Sequence, residues 1–309
     1  MPHPSPIRFA PSTTGYAHPG TLLSGLLCWL HARALGAPTM LRLENLDPDR
    51  CRPEYHHAMI EDLAWFGLDW DERVTQSDRT PAHEAALDVL ADRGLLYPCS
   101  CSRARIKTLG RPAPDGGFAY DNHCRQRRLP PGGWRACTEP VRLRLPDTRI
   151  QCADQGGLML DQQPAMELGD PVVRRRDRAM AYHLAVVVDD ADAGIREIIR
   201  GRDLAPAAPV QMLIHHLLDL PVPAYRHHFL LLEHHGGKLA KLHGAVDTQT
   251  LRRHFEPEAL VGQIAHWAGL LEHPEPCRPS DLIANFSWTR IRVNDLTVTW
   301  DGRQLLAIS

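Results

Sequence analysis

Residues 7–21 read I-R-F-A-P-S-T-T-G-Y-A-H-P-G-T. Ile7–Ala10 predicts a short strand. A Pro/Ser/Thr/Gly turn follows, and His18, Pro19 and Gly20 then open an apolar run that ends at Leu35. Within that run Leu22, Leu23, Leu26, Leu27 and Leu30 recur at helical spacing, which predicts a helix over Thr21–Leu35. A strand, a glycine turn and a helix start make an anion-binding layout. The helix N-terminus offers unpaired N–H groups and a partial positive charge. Gly20 lets the backbone approach a ligand closely, and His18 adds a donor.

Working outward, Gly36 suits the left-handed residue that closes a helix. Thr39–Leu43 predicts a second strand. A helix opens at Pro53 and runs to Phe66 before Gly67, and another covers Thr80–Arg93 before Gly94. This alternation implies an α/β fold with a doubly wound, Rossmann-like parallel sheet. From Tyr97 to Pro171 the chain is rich in Cys, Pro, Gly and Arg, with one alternating strand, Val141–Leu145, and reads as an inserted module. Tyr182–Val188 predicts a buried strand. Ile195–Ile199 predicts another, Pro206–Leu218 a helix, and Phe229–Leu232 a strand leading into the loop His234–Gly244. Helices are expected over Thr248–Phe255 and Glu258–Leu271, and a terminal hairpin within Ile291–Ile308. The expected division is residues 1–96 and 172–244 as two halves of a nucleotide-binding domain, 97–171 as the insertion, and 245–309 as a small, mostly helical C-terminal region.

The 309 residues, 43% hydrophobic and 23% charged, are ordinary for a globular protein. No apolar run approaches the roughly 18 residues that span a bilayer. Met1–Pro6 lacks the cationic and apolar regions of a secretory signal, so a cytoplasmic location without membrane contact is expected. The net charge of −2 gives no global case for nucleic acid. Two local clusters do: Arg125, Arg127, Arg128 and Arg135, and Arg174, Arg175, Arg176 and Arg178. Cys28 sits in an apolar helix as a buried thiol. Cys99, Cys101, Cys124 and Cys137 cluster in sequence, which suggests metal rather than disulfides. Zinc chemistry by itself favours Cys137 or His123 as the fourth ligand.

The opening stretch resembles the "HIGH" signature of class I aminoacyl-tRNA synthetases, in the R-F-A-P-S-x-T-G form of the glutamate-activating branch. Arg8, Pro11, Ser12, Gly15, His18 and Gly20 carry the match. Gly236-Gly237-Lys238-Leu239-Ala240-Lys241-Leu242 resembles that family's "KMSKS" loop, with Ala240 and Leu242 in place of the serines. Leu41-Arg42-Leu43-Glu44-Asn45-Leu46-Asp47 resembles R-[IL]-E-D-x-D, with Asn45 departing. Tyr182-His183-Leu184-Ala185, Asp189-Asp190 and Arg200-Gly201-Arg202-Asp203-Leu204 are similar to Y-x-L-A…D-D…R-G-x-D-L. These motifs cover residues 7–244.

The resemblance implies ATP-dependent activation of L-glutamate. ATP would meet His18, Gly20, Thr21, Lys238 and Lys241, with Mg²⁺ sharing the phosphate charge and His18 and Lys241 assisting the chemistry. Glutamate would meet Arg8, Phe9, Ala10, Pro11, Ser12, Glu44, Tyr182 and Arg200. Guanidinium groups suit this choice, because selecting glutamate over glutamine means selecting a carboxylate over an amide. The short members of the family carry C-x-C…Y-x-x-x-C, which implies one structural zinc held by Cys99, Cys101, Tyr120 and Cys124. Only 65 residues follow Gly244, too few for a helical adaptor and an anticodon reader together. The expected enzyme is therefore the truncated paralogue, a monomer whose acceptor is the queuosine base at the wobble position of tRNA(Asp). Charging of the 3′ end of tRNA(Glu), or a non-catalytic RNA-binding role, are the alternatives. Of the 18 histidines, only His18 is given a role.

Overall fold

A computed structural model describes residues 4–233 and 246–308. The chain forms two compact units. One takes residues 1–75, 197–202 and 226–309, and the other takes 76–196 and 203–225.

The first unit opens with β1 (Ile7–Phe9), α1 (Pro19–Leu35), β2 (Thr39–Leu43), α2 (Pro53–Trp65) and β3 (Glu72–Thr75). The three strands form a parallel sheet in the order β1-β2-β3, with Arg8 beside Met40 and Leu43 beside Thr75. Both β1 and β2 are wholly buried, as parallel strands are when helices cover them. In α1, Pro19 occupies the first turn and Gly36 closes the helix at φ 62°. Leu22, Leu23, Leu26, Leu27 and Leu30 are each no more than 1% exposed. Burying side chains of this size contributes about 1.5–3 kcal/mol apiece.

The chain then builds the second unit from α3 (Thr80–Asp92), β4 (Leu96–Pro98), α4 (Arg103–Leu109), α5 (Gly133–Ala136), β5 (Val141–Leu143), β6 (Ile150–Ala153), β7 (Met159–Gln162), α6 (Pro164–Glu167), β8 (Val172–Arg174) and α7 (Tyr182–Asp192). β4, β5 and β8 make a small antiparallel sheet, and β6 and β7 pair as an antiparallel ribbon. β9 (Glu197–Gly201) returns to the first unit, and α8 (Ala208–Leu217) belongs to the second. β10 (Ala224–His228), β11 (Leu231–Glu233), α9 (Thr248–Leu251), α10 (Pro257–Ala268), β12 (Leu296–Trp300) and β13 (Leu305–Ile308) follow.

Sequence reasoning needs correction at two places. Tyr182–Val188 is not a strand but the start of α7. Every residue from Leu184 to Asp190 is buried, so the run carries no one-sided periodicity, and its valines mimic strand composition. Two acids are buried with it. Asp189 faces His83 Nε2 at 2.7 Å and accepts from Gln76 Nε2 at 2.8 Å. The helix predicted over Thr248–Phe255 is the single turn α9, capped by the Asp247 carboxylate on Thr250 N–H at 2.8 Å. The terminal hairpin expected within Ile291–Ile308 is present as β12 and β13. β12 runs parallel to β11 and antiparallel to β13, and this stretch shares the first unit's core. Leu260, Ile264, Trp267, Leu282, Ile291 and Leu305 lie in one apolar cluster with the leucines of α1.

Candidate active site and metal centre

Within the first unit the ends of β1 and β2 converge. Past β1, Ser12 lies beside Glu44 in a parallel bridge. Thr13 N–H donates to the Glu44 carbonyl at 3.0 Å, and Glu44 N–H donates to the Pro11 carbonyl at 3.0 Å. Extending the ladder past the strands fixes Ser12 and Glu44 at the carboxyl edge of a parallel sheet, where ligands of open α/β sheets bind. The Arg42 guanidinium donates to Glu44 Oε1 at 3.2 Å, and Arg42 is 1% exposed. A buried guanidinium two residues back on the strand aims the Glu44 side chain.

Arg8 and Arg200 come from β1 and β9. Both are buried. Arg8 donates to the Ile199 carbonyl at 3.2 Å, and Arg200 Nε donates to His227 Nε2 at 3.2 Å. His227 thus orients an arginine of the site, a role the sequence reading gave to no histidine but His18. Phe9 is buried with its ring stacked on Trp70, 5.8 Å between centroids, and Pro11 is buried behind exposed Ser12. Ala10 is half-buried.

His18 is the N-cap of α1, in extended conformation, and its N–H reaches Thr21 Oγ1 at 3.4 Å. A β-carbon on Gly20 would lie 3.0 Å from His18 Cε1. A larger residue there would have to push the imidazole that lies over this position aside by a few tenths of an ångström. A pocket of about 350 Å³ opens in the same unit, lined by Thr13, Asn45, Cys51, Arg52, His56 and Thr75 among others. Lys238 and Lys241 lie outside the described residues. Tyr182 belongs to the second unit, where it opens α7 and is 37% exposed.

The second unit gathers three thiols. The sulfur atoms of Cys99, Cys101 and Cys124 lie within 4.8 Å of one another, so the group could hold a metal ion. The Tyr120 hydroxyl is 3.4 Å from Cys99 Sγ and 3.9 Å from Cys101 Sγ, and it accepts from Cys124 N–H at 2.8 Å. Burial works against ionising Cys124. The Ser100 backbone, Tyr120 and Cys101 outweigh it and bring the thiol down to about 6. Neither Cys137 nor His123 belongs to the group; the Cys137 thiol points to the Glu139 carbonyl at 3.5 Å. Gly169, at φ 77°, is forced by the chain carrying Tyr120, since a β-carbon would fall 2.1 Å from the Tyr120 carbonyl oxygen. Next to it Asp170, fully buried, accepts from Tyr97 at 2.9 Å and Leu145 N–H at 2.9 Å and pairs with Arg125. This carboxylate ties the insertion together, and no local pattern in the sequence announces it.

Residues 6–290 match the family described as tRNA synthetases class I (E and Q), catalytic domain. A glutamyl-Q tRNA(Asp) synthetase from Symbiobacterium thermophilum is 42% identical over 305 residues, covering 92% of this chain and 93% of that one. One from Nitratidesulfovibrio vulgaris is 38% identical over 314 residues, covering 95% of each. Among solved structures, a glutamate tRNA ligase from Elizabethkingia meningosepticum in complex with its amino acid superposes with a TM-score of 0.76 at 22% identity. It matches 95% of this chain and 66% of its own, a likeness of fold alone. No helix among the described residues is long and apolar enough to cross a membrane. On the strength of the family match and of relatives aligned over nearly their whole length, the chain belongs to the class I tRNA synthetases of the glutamate and glutamine type, on the branch of the glutamyl-Q tRNA(Asp) synthetases.

Proposed function

We propose that the chain joins L-glutamate to ATP, forming glutamyl-adenylate and pyrophosphate, and passes the glutamyl group to the queuosine base at the wobble position of tRNA(Asp). The observation that carries this reading is the pair of relatives so named, 42% and 38% identical over more than nine tenths of each chain. In the first step a glutamate α-carboxylate oxygen attacks the α-phosphorus of ATP and pyrophosphate leaves. No enzyme nucleophile is needed, so catalysis is positioning and charge stabilisation. His18, the Gly20 backbone, Thr21, Lys238 and Lys241 take the phosphates, and Mg²⁺ arrives with ATP. Glutamate lies against Arg8, Phe9, Ala10, Pro11, Ser12, Glu44, Tyr182 and Arg200. The Glu44 carboxylate, held by Arg42, suits an α-ammonium group. Buried Arg8 and Arg200 suit a side-chain carboxylate and disfavour the neutral amide of glutamine. In the second step a queuosine hydroxyl attacks the acyl carbon and AMP leaves.

We assign Cys99, Cys101, Cys124 and Tyr120 to one structural zinc. Three closely spaced thiols, two of them buried, with a phenol oxygen beside them fit that ion, and it would stabilise the insertion rather than act on substrate. The reading has the enzyme acting as a monomer in the cytoplasm, without membrane contact. Labelled-glutamate transfer with ATP and Mg²⁺ tests it on three RNAs: tRNA(Asp) with queuosine, tRNA(Asp) without it, and tRNA(Glu). Label on the first alone is the expected result. Label on tRNA(Glu), or on none, overturns it.

A further inference from the structure

The two arginine clusters of the sequence meet different fates, both within the second unit. In the first, Arg125 is paired with buried Asp170, Arg127 with Glu139 at 2.7 Å, and Arg135 with Asp88 at 2.9 Å. Those three charges are paired, and Arg128 of the same cluster is exposed with no side-chain partner among the described residues. In the second cluster Arg174 is buried and donates to the Cys137 carbonyl at 3.0 Å. Arg175 pairs with Asp177 at 2.7 Å. Arg176 and Arg178 are exposed, and among the described residues neither side chain makes a hydrogen bond or ion pair; the Arg178 N–H donates to the Arg175 carbonyl at 3.2 Å. Glu139, the carboxylate whose ionisation Arg176 favours, is already held by Arg127.

These two residues occupy the tip of a tight hairpin. Arg174 bridges to Met180, Arg175 N–H donates to the Ala179 carbonyl at 2.8 Å, and Asp177 Oδ1 accepts from Ala179 N–H at 3.1 Å. The turn puts Arg178 at φ 71°. Asn122 and Asp219, the other described non-glycine residues with positive φ, have short polar side chains that support the left-handed conformation. Arginine does not, and glycine would sit there without strain. A strained residue whose side chain meets no partner among the described residues points to a role for that side chain outside the turn.

We propose that the hairpin tip carrying Arg176 and Arg178, four residues before Tyr182 at its nearer end, is a contact for the phosphate backbone of the bound tRNA. This rests on the reading of the chain as an enzyme acting on tRNA. Guanidinium forks match phosphate oxygens in two-bonded geometry and carry no sequence information.

The test compares Arg178→Gly and Arg176→Gln with the parent, using unmodified tRNA(Asp) and tRNA(Glu) transcripts in an anisotropy titration at several salt concentrations. Each variant should weaken binding about 3- to 10-fold for both RNAs and lower the salt slope by about 0.7–0.9. Arg178→Gly should melt no lower than the parent, because the turn loses its strain. Both variants should keep the parent's glutamate-dependent ATP–pyrophosphate exchange. An unchanged salt slope in both, a loss confined to one tRNA, or a marked fall in melting temperature for Arg178→Gly would overturn the assignment. If the parent neither exchanges nor transfers but the variants lose slope, the proposed function falls and the hairpin contact stands. If activity is present and the slope unmoved, the reverse holds.

Discussion

Replacing Arg200 by Met should raise the KM for glutamate by about 10- to 150-fold and leave that for ATP within about twofold. The magnitude follows from the surroundings of the guanidinium. Arg200 is 7% exposed, so little water competes for it. His227 Nε2 fixes its plane from one side at 3.2 Å, so the group meets its ligand already oriented. A charge-assisted hydrogen bond in such a site is worth about 1.5–3 kcal/mol, and each 1.4 kcal/mol is about a factor of ten. Arg200→Lys keeps the charge but loses the planar fork and its tie to His227, and should fall between Met and the parent. His227→Leu should raise the glutamate KM by a smaller factor, about 3- to 10-fold, since it removes only the orienting contact. The assay is glutamate-dependent exchange of labelled pyrophosphate into ATP, with each substrate varied in turn. An unchanged glutamate KM in Arg200→Met, or an equal rise for both substrates, would refute the reasoning.

Cys99→Ser should lower bound zinc from about one ion per chain to well below one by metal analysis; a parent without zinc would end the assignment. Lys241→Ala should cut the exchange rate strongly while leaving glutamate binding nearly intact, and equal loss of both would remove the lysine from the phosphates. Burial raises the pKa of Asp62 to about 6, against the pull of Arg252 at 3.1 Å. The folded protein therefore favours the protonated acid. Stability from this group is present below about pH 4 and lost as pH rises through about 6. Asp62→Asn should remove about 1–2 kcal/mol of that decline, allowing for screening. Melting curves of parent and variant at pH 5 and pH 8 check this, and identical pH dependence in the two would contradict it.

The sequence was most legible where elements carry their own punctuation. Thr39–Leu43 is a strand with the predicted ends, and α2 and α3 start as predicted because proline and glycine bracket them. It was least legible where burial removes periodicity, as in α7, and where elements are too short for a pattern, as in β3 and the β6–β7 ribbon. At the site, Ser12 and Glu44 are brought together as their motifs implied. Arg42 was overlooked, although alternation along β2 places positions 42 and 44 on one side of the strand. His227 was beyond reach, because its link to Arg200 joins two strands and neither carries a motif for it. The Gln76, His83 and Asp189 cluster was equally hidden, since Asp189 lies more than 100 residues from both of its partners in sequence.

The passage of the chain between the two units has a consequence for biosynthesis. The second unit takes no residue beyond 225, whereas the first needs α10, β12 and β13 to cover the leucines of α1. On the ribosome, the first helix to emerge is therefore among the last to be buried. Its apolar surface stays open while more than 200 further residues are made. The later-synthesised unit can close first, against the usual N-to-C order. A nascent chain stalled before residue 260 would leave the leucines of α1 without α10, β12 and β13 to cover them.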